Sequence, residues 1–303
     1  MKTWVVGSRK SQLALTQTNW VIDRLREADS EVEFELEKIV TKGDRILDVT
    51  LSKVGGKGLF VKEIEQALLT KEIDMAIHSL KDLPSVMTEG TILGAVPVRE
   101  DVRDVLLSKD GVTLEELPSG AIVGTSSLRR QAQILAVRPD LRVESIRGNV
   151  DTRIQKMKDG SFDAIILAAA GLKRLSMQDQ IVEYLAPATM LPAVGQGALA
   201  VQIRENEPEL LSLLQQIHCE KTYLAVEAER AFLHTIEGGC HLPIAAYAQI
   251  LEDGQVSLTA LVGDPSGEKM ISDTLIGEDA SELGKTMAQH LIDRGAKHLL
   301  SQV

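Results

Sequence analysis

The sequence predicts an α/β protein with largely parallel sheets, followed by a smaller α+β segment. Three observations point there. Hydrophobic residues make up 44% of the 303 and aromatic ones only 3%, so the core must be built of Leu, Ile, Val and Ala, a composition that suits strands buried on both faces. Short apolar strands alternate with helix-periodic stretches as far as residue 168, the order that gives parallel sheets flanked by helices. From residue 245 the pattern changes to three consecutive strands and then a helix, the order of an α+β unit. A chain of 303 residues suggests two or three domains.

Residues 3–6 read as a short buried strand. A helix is expected over 11–27, where Leu15, Val21, Ile22 and Leu25 suit one apolar face. Val32, Phe34 and Leu36 alternate with glutamates at the period of a strand. Residues 60–72 place Val61, Ile64, Leu68 and Leu69 on one side of a helix, and 75–80 form the next strand. A second unit starts near Val98, with strands over 104–107, 121–124, 142–146 and 164–168 and helices over 128–137 and 149–158. The stretch 186–197 holds Pro187, Pro192, Gly195 and Gly197 and marks a crossover. A helix over 222–234 ends at Gly238 and Gly239. Strands follow over 245–251, 256–262 and 269–276, the first two joined at Glu252-Asp253-Gly254, and 281–294 form the last helix.

The formal net charge of −11 argues against a duplex-binding protein, which is usually basic, but leaves room for a local basic cleft. The apolar stretch near the N-terminus is too short for a signal peptide. The longest apolar run, 164–172, is too short to span a bilayer. Two cysteines, Cys219 and Cys240, are too few for a disulfide framework, so the expected setting is the cytosol with reduced thiols.

Arginines gather where strands give way to helices. Arg9 follows Gly7-Ser8 and precedes Ser11 at a helix start, and Arg129 and Arg130 follow Gly124-Thr125-Ser126-Ser127. Arg147 and Arg153 flank Gly148-Asn149, and Arg174 lies just past the 164–172 run. In open α/β sheets such junctions face the binding crevice, helix N-termini there offer N–H donors, and a guanidinium fork matches carboxylates. Together the six predict a polyanionic ligand, whereas each taken singly also reads as a solvated surface charge. Ser127 reads equally as a helix cap.

In His78-Ser79-Leu80-Lys81-Asp82-Leu83-Pro84 a strand ends in a Lys81–Asp82 pair. The pair is either an exposed ion pair or a carboxylate placed to accept an N–H, stabilise a cation or move a proton. Cys240 sits in the glycine loop Glu237-Gly238-Gly239-Cys240-His241, as an accessible thiol or as a small buried apolar group. The spacing of His234, Cys240 and His241 fits no standard zinc site, and Cys219 reads as structural. Gly55-Gly56-Lys57-Gly58 lacks the Ser or Thr of a phosphate loop and reads as a loop that closes over a ligand.

The motifs Gly7-Ser8-Arg9-Lys10-Ser11-Gln12-Leu13-Ala14, Gly56-Lys57-Gly58-Leu59-Phe60, 78–84, 124–130, Ile146-Arg147-Gly148-Asn149-Val150-Asp151-Thr152-Arg153 and Gly238-Gly239-Cys240 follow one another along nearly the whole chain. In that order the sequence resembles the porphobilinogen deaminase family. Leu80 and Leu83 stand where the family often has Met and Val, both conservative exchanges. The resemblance implies three domains: 1–97 with 193–217, 98–192, and 218–303. The first two would be α/β domains similar to the lobes of type II periplasmic binding proteins, with the site between them, and the third a small α+β domain.

The resemblance further implies a dipyrromethane cofactor joined by a thioether to Cys240, and Asp82 as the catalytic carboxylate. Cofactor contacts would be Lys81, Asp82, Ser127, Arg129, Arg130 and Arg147; substrate contacts would be Arg9, Ser11, Arg147, Arg153 and Arg174. Asp44, Lys53, Lys57 and Phe60 would be neighbours of the site. The implied reaction joins four porphobilinogen units head to tail, loses ammonia at each addition and releases hydroxymethylbilane by hydrolysis. It would run in a cytoplasmic monomer without metal, nucleic acid or membrane. Each porphobilinogen carries an acetate and a propionate, so the growing chain is the polyanion that the arginines call for, and tethering makes each attack intramolecular. A rival reading of the same arginines is a non-enzymatic two-lobed receptor for a small carboxylate or oxyanion, in which Cys240 has no special status. A nucleic-acid binder fits worse, on charge and on scarce stacking aromatics.

Overall fold

A computed structural model describes residues 2–41, 61–237 and 242–301. They form two compact units, 2–41, 61–100 and 197–223 in the first, 101–196, 224–237 and 242–301 in the second. The first unit opens with β1 (Thr3–Arg9), α1 (Gln12–Ala28), β2 (Glu33–Ile39), α2 (Lys62–Leu69), β3 (Met75–Ser79), a short 3-10 turn (Leu80–Asp82) and β4 (Thr91–Ala95). The second holds β5 (Asp104–Ser108), β6 (Ile122–Gly124), α3 (Leu128–Val137), β7 (Arg142–Glu144), α4 (Val150–Lys158), β8 (Ala164–Ala168), α5 (Ala169–Arg174) and β9 (Glu183–Leu185). The chain returns to the first with β10 (Leu199–Arg204) and α6 (Pro208–Gln215). The remaining elements are α7 (Glu220–Thr235), β11 (Ile244–Ile250), β12 (Val256–Gly263), β13 (Met270–Gly277), α8 (Ala280–Asp293) and α9 (Ala296–Leu300).

The two larger sheets share one plan. The first runs β2-β1-β3-β10-β4, with β1 parallel to β2 and β3 and β10 antiparallel to β3 and β4. The second runs β7-β6-β8-β5-β9, with β6 parallel to β7 and β8 and β5 antiparallel to β8 and β9. In each, the fourth place goes to a strand from the segment that has just crossed over from the other unit. Both are five-stranded α/β sheets, in keeping with the two α/β domains that the resemblance implied. The third sheet, β11-β12-β13, is antiparallel and packs on α7 and α8 through Phe232, Leu258, Met287 and Leu291. It is the small α+β part.

Strands β5, β8 and β10 are buried almost throughout. A strand buried on both faces reads as an apolar run whichever way it points, which is why the sequence predicts parallel sheets and conceals the antiparallel β5 and β10. The sequence reading also passes over β4, β9, β10, α5, α6 and α9, and the strand expected over 142–146 stops at Glu144. The helix expected over 60–72 is Lys62–Leu69, and residue 60 lies outside the described residues. Helix α1 buries Val21, Ile22 and Leu25 against Trp4, Val6, Met75 and Val201, each large side chain contributing about 1.5–3 kcal/mol. Its first half buries Gln17 and Thr18 instead, while Leu15 is only half-buried.

Candidate functional site

Strands β1 and β3 lie side by side and parallel, with Gly7 level with Ala76. Two residues further along each strand stand Arg9 and His78. There, at the C-terminal strand ends where α/β sheets place ligands, a cavity of about 60 Å³ opens, lined among others by Arg9, Ser11, Gln17, His78, Ser79 and Asp82. Sequence-predicted Arg9, Ser11 and Asp82 therefore share one cavity. Ser11 caps α1, its Oγ accepting from the Ala14 amide at 3.3 Å. Gln17 and Ser79 bond each other through both amide atoms, at 2.9 and 3.1 Å, and Thr18 Oγ1 donates to Ser8 Oγ at 2.9 Å. These bonds explain why α1 turns polar residues inward here.

The turn after β3 is pinned from beneath. Leu80 and Leu83 are buried, and the Leu80 amide donates to the Ala198 carbonyl at 3.0 Å. Lys81 is left half-buried and Asp82 exposed at the cavity. Under the cavity floor runs a buried polar chain. His78 Nε2 meets Gln202 Oε1 at 3.0 Å; Gln202 Nε2 donates to Glu65 Oε1 and Thr91 Oγ1, both at 2.9 Å; Thr88 Oγ1 donates to Glu65 Oε2 at 2.7 Å. Burial pulls the His78 pKa down to about 4, against the hydrogen bond to Gln202 and with a smaller push from the Arg9 charge, so the ring is neutral near pH 7.

The second unit holds the other predicted cations. Ser127 caps α3, accepting from the Arg130 amide at 3.4 Å. Arg129 and Arg130, in the first turn of α3, are buried and converge on Asp104 at the start of β5. Arg129 Nη1 donates to Asp104 Oδ2 and to the Leu191 carbonyl, each at 2.7 Å. Arg130 donates to Asp104 Oδ1 from Nη2 at 2.7 Å and from Nε at 3.1 Å, and to the Ile166 carbonyl at 2.9 Å. Burial pushes the Asp104 carboxyl upward, yet the charges of Arg129 and Arg130 outweigh it and hold the group well below the usual carboxylate range. One carboxylate faces two guanidiniums, so the cluster keeps a net positive charge.

Arg147 lies half-buried between β7 and α4, and its carbonyl accepts from Lys156 Nζ at 3.1 Å. Gly148 follows at φ +118°, a left-handed conformation that a side chain disfavours, and its carbonyl accepts from Arg153 Nε at 2.8 Å. Arg174 ends α5 and is half-buried. Cys240 with its glycine loop, and Asp44, Lys53, Lys57 and Phe60, lie outside the described residues. Sequence reasoning missed His78, Gln17, Gln202 and Asp104 as parts of the site and its supports. A signal was present for Gln202, a polar residue inside an otherwise apolar strand run, whereas Asp104 stands at the start of its strand and gives none. Among the described residues no group of three His, Cys, Asp or Glu side chains could hold a metal, and no described helix is long and apolar enough to cross a membrane.

Comparison with known proteins accounts for nearly the whole chain. The family description "Porphobilinogen deaminase, dipyromethane cofactor binding domain" matches residues 4–212, and "Porphobilinogen deaminase, C-terminal domain" matches 223–293. A porphobilinogen deaminase of Halalkalibacterium halodurans is 59% identical over 100% of this chain and 98% of its own length. One of Bacillus subtilis is 55% identical over 100% of this chain and 97% of its own. Among solved structures, the second substrate binding domain of a putative amino acid ABC transporter from Streptococcus pneumoniae overlays with a TM-score of 0.44 at 13% identity, covering 71% of this chain and 92% of that one. The chain belongs to the porphobilinogen deaminase family, transferases of tetrapyrrole biosynthesis that work with a dipyrromethane cofactor.

Proposed function

We propose that the cavity at the ends of β1 and β3 is the catalytic centre and Asp82 its catalytic carboxylate. The observation that carries this reading is the convergence of Asp82, Arg9 and Ser11 on one cavity. The donor set suits a dipyrromethane and its substrate, whose rings carry acetate and propionate arms and one N–H each. Arg9 supplies a forked donor to carboxylates, and the Arg129–Arg130–Asp104 cluster a net positive charge that favours anionic arms. Asp82 supplies an acceptor for N–H. When bound, the cofactor provides the nucleophilic ring carbon on which units are added.

Asp82 holds a negative charge where positive charge develops as ammonia leaves, and a fixed charge of that sign lowers the barrier. Lys81, Ser127, Arg129, Arg130 and Arg147 hold the cofactor arms; Arg9, Ser11, Arg147, Arg153 and Arg174 hold those of the substrate. The Cys240 sulfur anchors the cofactor through a thioether. The chain is organised as three domains, 1–97 with 193–217, 98–192 and 218–303, and acts as a cytoplasmic monomer without nucleic acid. The test is Asp82→Asn, which keeps the shape and removes the charge. Steady-state turnover should fall about 10²–10⁴-fold with the circular dichroism spectrum unchanged; turnover near the native rate in a folded variant would reject the assignment.

A further inference from the structure

The buried chain beneath the cavity fixes the position of one proton. Gln202 on β10 points its amide nitrogen at two acceptors, Glu65 Oε1 and Thr91 Oγ1, both at 2.9 Å. Thr91 Oγ1 is an acceptor there because its own hydrogen goes to the Thr88 carbonyl at 2.7 Å. The amide is thereby oriented, and its oxygen faces His78 Nε2 at 3.0 Å. A carbonyl oxygen only accepts, so Nε2 carries the imidazole hydrogen and Nδ1 is left with a lone pair. Among the described residues Gln202 is the ring's hydrogen-bond partner, and His78 is one of the residues that line the cavity with Arg9 and Asp82.

We propose that His78 Nδ1 is a second acceptor in the catalytic cavity, taking a hydrogen bond from a pyrrole N–H while Asp82 serves another. This rests on the reading of the cavity given above. The neighbouring Arg9 charge selects the donor: a cationic ammonium at Nδ1 would be repelled, whereas a pyrrole N–H is neutral and can only donate. No bond is made or broken at His78; the ring orients a pyrrole, and the chain through Gln202 to Glu65 holds the ring in its tautomer. The donor is either a ring of the cofactor or the incoming porphobilinogen.

Nitrogen-15 spectra of the His78 ring distinguish these, recorded on the apoenzyme, the holoenzyme, and the holoenzyme with one equivalent of porphobilinogen. The apoenzyme should show a protonated Nε2 and a bare Nδ1. A shift of Nδ1 toward the hydrogen-bonded range in the holoenzyme assigns a cofactor ring; a shift only after porphobilinogen assigns the incoming ring. A hydrogen on Nδ1 in the apoenzyme, or no movement in either loaded sample, overturns the proposal. His78→Gln puts an amide near the Nε2 position and nothing at Nδ1, so a structural role alone would be rescued. The expected result is a fall in kcat/KM of about tenfold with melting temperature kept, and native kinetics would overturn the proposal. Should that variant not fold, the spectra decide alone. Normal turnover of Asp82→Asn would remove the role of Asp82 and leave that of His78 to the Nδ1 signal.

Discussion

Asp104 shows how one side chain holds two of the predicted ligand-binding arginines in place. It is fully buried, and removing its charge would strand two guanidiniums with one acceptor group fewer. Breaking a buried pair by deleting one partner costs about 3–5 kcal/mol, so Asp104→Asn should lower the stability measured by chemical denaturation by an amount in that range. The pH dependence follows from the same arrangement. The carboxyl is held below its ordinary value of 3.8 in the folded state, so its stabilising contribution is complete above that value and is lost as pH falls below it. Denaturation midpoints of the native protein should therefore drop on acidification below that pH, and the Asp104→Asn variant should show a shallower drop. Equal slopes would mean that the arginines do not depend on this carboxylate. Asp104 and Gln202 escape a reading of sequence alone because their partners are remote: Gln202 is 124 positions from His78, and Asp104 is 25 from Arg129. Arg9, Ser11 and Asp82 are legible because each stands in a strand-to-helix junction whose local pattern places it at a strand end.

At the scale of elements, the C-terminal part depends on the close approach of α7 and α8. A Cβ at Gly284 would fall on the Ala228 carbonyl oxygen and lie 2.7 Å from both the Ala231 Cβ and the Phe232 amide nitrogen. Backbone cannot move aside as a side-chain tip can, so Gly284→Val should cost about 1–3 kcal/mol through overpacking. A lowered melting temperature with unchanged turnover per folded molecule is expected, and an unchanged melting temperature would contradict the packing. The helical period of 281–294 locates α8 in the sequence, but nothing in that period identifies the residue on which another helix rests. The same holds for β5, whose apolar run gives its existence and not its direction, while β10 escapes the sequence reading altogether.

For the whole molecule, two sheets of identical strand order, each completed by a segment crossing from the other unit, make the sequence discontinuous in space: β10 belongs beside β3 and β4, not beside β9. An ordered set of motifs can reveal such an arrangement where periodicity cannot, because each motif marks a strand end irrespective of its neighbour in the sheet. Charge follows a similar division. A chain of net charge −11 concentrates paired guanidiniums at one helix start, so its total describes the surface and not the site. The central claim, that Asp82 drives chemistry on a cofactor the chain already carries, is tested most directly by the intact mass of Asp82→Asn followed over time after mixing with porphobilinogen. The account predicts a starting mass above that of the polypeptide by one dipyrromethane, and substrate increments that appear far more slowly than on the native protein. A starting mass equal to the polypeptide, or increments at the native rate, would contradict it.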